Sequence, residues 1–89
     1  MPTISLFYGI VVMMLYRDTD RHHLPHIHVR YADHKASIAI EDGRIIEGDF
    51  PVRQLKLVQA WVEIHREDLM ADWALAVVGE PVVRIPPLQ

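Results

Sequence analysis

Between Arg21 and Arg30 the chain reads Arg21-His22-His23-Leu24-Pro25-His26-Ile27-His28-Val29-Arg30, which gathers four of its six histidines and a cation at either end. Histidine titrates near neutral pH, ligates metals and moves protons, so this segment is where chemistry would sit. If the segment from His26 is a strand, His26 and His28 leave it on one face with Cα atoms roughly 6.5–7 Å apart, two strand rises. Three uses follow from that spacing. The His26-x-His28 pair can chelate a divalent transition metal, with His22, His23, Asp18 and Asp20 as further ligands from the preceding loop. Without a metal, one imidazole can act as general base and the other as general acid on a phosphodiester, with Arg21 or Arg30 stabilising the developing charge, as in a small ribonuclease. The same residues also serve simply as polar side chains on a half-exposed strand, or as a surface for a partner with Arg21, His22 and His23 contributing from the loop.

The elements that would hold these residues are legible from periodicity. Ile4–Tyr8 and Ile10–Arg17 are apolar runs separated by Gly9. The second is apolar on both faces, which suits a central strand or one buried in an interface. Met13, Met14 and Leu15 add enough apolar surface to suggest self-association or a protein partner. The apolar N-terminus lacks a basic leading segment and a small-residue cleavage site, and is read as core strand rather than a targeting or membrane-spanning segment. Asp18–Pro25 is a loop. From His26 the period is two, with Ile27, Val29 and Tyr31 opposed to His26, His28 and Arg30. A second alternation sets Ala36, Ile38 and Ile40 against Lys35, Ser37, Ala39 and Glu41. Asp42-Gly43 predicts a two-residue type I′ hairpin, returning as a short strand to Gly48.

At Asp49-Phe50-Pro51 the period lengthens to that of a helix, with Asp49 as expected N-cap. Leu55, Val58, Trp61, Val62 and His65 mark one helix over about Pro51 to His65; Leu69, Trp73, Ala76 and Val77 mark a second from about Arg66 to Val78, with Gly79 as its stop, and the spacing fits either two separate helices or one kinked rod. Both tryptophans lie on apolar stripes and are expected in the core. Residues 80–89 are an extended tail. Strands followed by helices predict an α+β fold: an antiparallel sheet of four to five strands with one apolar face covered by two C-terminal helices. That leaves His26, His28 and Arg30 on the opposite, more open face.

Size and composition narrow the rest. The 89 residues make one domain, 51% of them hydrophobic, which suits a folded core and not a disordered chain. The absence of cysteine removes disulfides and thiolate metal sites and fits a reducing, cytoplasmic compartment. A net charge of −3 lacks the basic surplus of a general nucleic-acid binder, so RNA contact would rest on a local patch.

Met1-Pro2-Thr3-Ile4-Ser5, Gly9-Ile10-Val11-Val12, Pro25-His26-Ile27-His28-Val29, Glu41-Asp42-Gly43 and Trp61…His65-Arg66-Glu67-Asp68-Leu69…Trp73…Gly79-Glu80-Pro81…Ile85 occur in an order that resembles a small bacterial family, domain of unknown function (DUF) family 4160. The resemblance covers nearly the whole chain, and Pro-His-x-His-Val is its most specific part. The chain departs from the usual pattern at Leu24, where a second proline is common, and at Met13, where polar residues are commoner. The resemblance implies a cytoplasmic bacterial protein encoded beside a small partner of DUF family 2442, in an arrangement similar to toxin–antitoxin operons. It therefore implies a hetero-complex, and assigns no histidine a catalytic role.

Overall fold

A computed structural model describes residues 2–15 and 24–89 of the chain. Five strands, β1 (Thr3–Phe7), β2 (Ile10–Met13), β3 (His26–Tyr31), β4 (His34–Ala39) and β5 (Ile45–Gly48), are followed by helices α1 (Val52–Ile64) and α2 (Arg66–Val77). The strands form one antiparallel meander in sequence order. The α+β architecture is the one that the switch from period two to period 3.6 predicts.

The turns are set by backbone conformation. Phe7 pairs with Ile10 across Tyr8 and Gly9, which both have positive φ (50° and 76°), the signature of a type I′ loop. The β4–β5 connection differs from the expected two-residue turn. Ala39 N–H donates to Arg44 O and Gly43 N–H donates to Ala39 O, and among Ile40–Gly43 only Gly43 has a positive φ. The loop therefore spans four residues. Gln59 Nε2 donates to Gly43 O at 2.9 Å, so α1 holds the turn in place.

The register defines what each face carries. Ser5, Val12, Val29, Ala36 and Gly48 stand in one row, and Ile27, Ile38 and Ile45 in another. These rows belong to the core, where Ile4, Ile10, Val12, Met14, Ile27, Val29, Ile38 and Ile40 are buried with Val58, Trp61, Val62 and Leu69 of the helices. Trp61 stacks at 5.4 Å on Phe7, and its Nε1–H donates to Pro86 O. That bond fastens the tail to α1, and Ile85 N–H to Ile4 O fastens it to the edge strand β1.

The expected N-cap at Asp49 is not formed: Pro51 is the capping residue of α1 and no side chain caps it. A single residue, His65, separates the helices. Past α2, Gly79 N–H donates to Ala76 O and Glu80 N–H to Leu75 O with Gly79 at φ 78°, a Schellman stop where glycine was expected. Asp72 is buried at 2% exposure; Oδ1 accepts from Val83 N–H while Oδ2 has no hydrogen-bond partner among the described residues. Burial raises its carboxyl above the ordinary value, against the lowering effect of that bond. No helix among the described residues is long and apolar enough to cross a membrane.

Candidate functional site

Across the sheet the rows facing away from the core can be read strand by strand. Thr3, Met13, His28, Ser37 and Glu47 are successive register partners from β1 to β5. Leu6, Val11, Arg30 and Lys35 make the neighbouring row from β1 to β4. His26 lies in a third row opposite Ala39. Apart from Thr3, the face is thus apolar on β1 and β2, and its polar side chains are on β3 to β5.

His26 and His28 do share one face, as alternation requires. Their ring centroids are 5.0 Å apart in an edge-on arrangement. Their surroundings differ sharply. His26 is 1% exposed, and its ring lies 5.1 Å from that of Trp73 on α2. This corrects the expectation that the whole face is open. His26 is the first residue of β3, and alternation fixes its direction but not what covers the strand's end. Its Nδ1 lies 2.8 Å from Leu24 O. A carbonyl only accepts, so Nδ1 carries a hydrogen and donates it to Leu24 O.

His28 is half-buried, and its Nδ1 is 3.4 Å from Ser37 Oγ. Arg30 is exposed beyond it. His28, Arg30, Lys35, Ser37 and Glu47 line an open concavity of about 360 Å³, with Met13 and Leu15 at its apolar side. Chemically the concavity offers cations, an imidazole, a hydroxyl and a carboxylate around one volume, enough to bind an anionic group or to move a proton to it.

Of the residues singled out in the sequence, His28 and Arg30 are brought to this concavity and His26 stands behind them as a buried neighbour. Arg21, His22 and His23, together with Asp18 and Asp20, lie outside the described residues. Among the described residues no group of three histidine, aspartate or glutamate side chains could hold a metal ion, so the His26–His28 pair has no third ligand there. Lys35, Ser37 and Glu47 join the site without having been singled out. Alternation does place Lys35 and Ser37 on the polar face of β4; only the register sets them beside Arg30 and His28.

A protein-family model described as a domain of unknown function (DUF4160) matches residues 9–74, well over half of the chain and including both histidines. No curated protein and no solved structure matches.

Proposed function

The chain belongs to the DUF4160 family, and we propose that it is one component of a two-protein, toxin–antitoxin-like module that binds a small protein partner through the open sheet face. One observation carries this reading: Leu6, 55% exposed, and Val11 stand in the same row as Arg30 and Lys35. Apolar surface running directly into charged surface is the anatomy of a protein interface, whose centre is desolvated and whose rim is polar. The half-buried Leu15 and the nearby Met13 extend the apolar half. The adjacent partner gene that the family resemblance implies supports the same reading, with a cytoplasmic bacterial setting. Co-expression with the product of the neighbouring gene tests it. A complex that survives purification is expected; two proteins that elute separately would contradict it.

A second reading, metal-independent cleavage of RNA, is favoured by one specific feature, the edge-on His26–His28 pair with His26 Nδ1–H held on Leu24 O. In that reading His28, beside Arg30, meets the phosphodiester, and buried His26 orients it. Loss of RNA cleavage in His28→Ala with the fold retained is the expected result. A preparation that cleaves RNA equally well as His28→Ala would exclude it.

A further inference from the structure

Arg30 on β3 and Lys35 on β4 are direct register partners, and both are exposed. Directly opposed residues on an antiparallel pair have Cβ atoms about 4.5–5.5 Å apart, and like charges placed so destabilise the ladder. Among the described residues neither cation has an ion-pair partner to offset that repulsion. The carboxylate of the same face, Glu47, stands in the adjacent row opposite Ser37. His28 and Ser37, 3.4 Å apart, fill that row between the cations and Glu47.

We propose that this concavity binds a phosphate group, free or as the monoester of a small molecule, with Arg30 and Lys35 as its cations and His28 and Ser37 as hydrogen-bonding partners. Two adjacent positive charges match the double negative charge of a phosphate, and a guanidinium fork beside an ammonium presents donors to several of its oxygens. The ligand is a small one. The volume is about 360 Å³, and the net charge of −3 opposes a long polyanion. The site shares Arg30 and Lys35 with the face proposed for the partner, but binding by the isolated chain does not depend on that partner, so the two readings fail separately.

Calorimetric titration of the full chain, in buffer free of phosphate and sulfate, tests it with inorganic phosphate and with a 5′-mononucleotide as probes. One saturable site is expected. Arg30→Gln and Lys35→Gln should each weaken binding about tenfold, the loss of one charge-assisted contact, whereas Lys56→Gln, exposed on α1, should not. Lys35→Glu carries a double signature: it turns the like-charged pair into an ion pair, so the melting temperature should rise while phosphate binding is lost. Equal affinity for the two probes supports free phosphate, and tighter nucleotide binding supports a monoester. No saturable binding of either probe, or undiminished binding by Lys35→Glu, overturns the proposal.

Discussion

His26 and His28 leave the same face of β3 with ring centroids 5.0 Å apart, yet one is sealed beneath Trp73 and the other faces the concavity. A motif that looks symmetrical in the sequence is therefore divided by the fold. His26 fixes the start of β3 through Leu24 O and Trp73. His28 is the imidazole that a ligand or partner can reach.

That division predicts unequal costs of truncation. His26→Ala removes a buried ring and leaves the Leu24 carbonyl without its partner, which should cost roughly 2–4 kcal/mol. His28→Ala, at a half-buried site, should cost less than His26→Ala. Urea unfolding of the two variants measures both; equal losses would contradict the division.

Gly48 should be the least replaceable glycine. It has φ 89°, and a Cβ there would lie 2.3 Å from Lys35 O, a backbone atom that cannot move without shifting β4. Gly48→Ala should destabilise by about 2–4 kcal/mol, combining left-handed strain with that clash. At Gly9 the closest neighbour of an added Cβ is the Tyr31 ring at 3.3 Å, a side chain able to rotate away. Gly9→Ala should cost only about 1–2 kcal/mol. Thermal denaturation ranks them, and the reverse order would be inconsistent with the β4–β5 packing.

Asp72 sets a pH dependence whose sign follows from its raised carboxyl. Below the ordinary carboxylate value of 3.8 it is protonated in folded and unfolded chains alike, and its burial carries no ionisation penalty. As pH rises through the raised folded value, the unfolded chain releases its proton more readily and stability is lost. Asp72→Asn keeps a carbonyl oxygen for Val83 N–H and does not ionise. The stability of Asp72→Asn relative to the native chain should increase from acid to neutral pH. A constant difference in denaturant unfolding across that range would refute the assignment.

The sequence made much of this architecture legible because its signals are local. Period-two alternation is enough to put His26, His28 and Arg30 on one face and Ile27 and Val29 on the other, and helical spacing is enough to bury Trp61 and Leu69. What escaped it depends on contacts distant in sequence. Trp73 lies far along the chain from the histidine it covers. The Asp42-Gly43 loop is longer than its dipeptide suggests, and Gln59 holds it from α1. The β4–β5 pairing contains an irregularity between Ser37 and Ile38, so alternation alone could not align Glu47 with Ser37 and His28. The cation pair Arg30–Lys35 likewise emerges only from the register across the β3–β4 turn.

If the open sheet face is the partner-binding surface, as proposed, the affinity of the proposed neighbouring-gene partner for face variants, set against a variant elsewhere, reports on it directly. Leu6→Asp and Arg30→Glu should each weaken the complex by at least about tenfold, about 1.4 kcal/mol or more. Val78→Asp, at an equally exposed valine beyond α2, should leave it unchanged. A complex indifferent to Leu6→Asp and Arg30→Glu, or one lost through Val78→Asp instead, would show that the partner binds elsewhere.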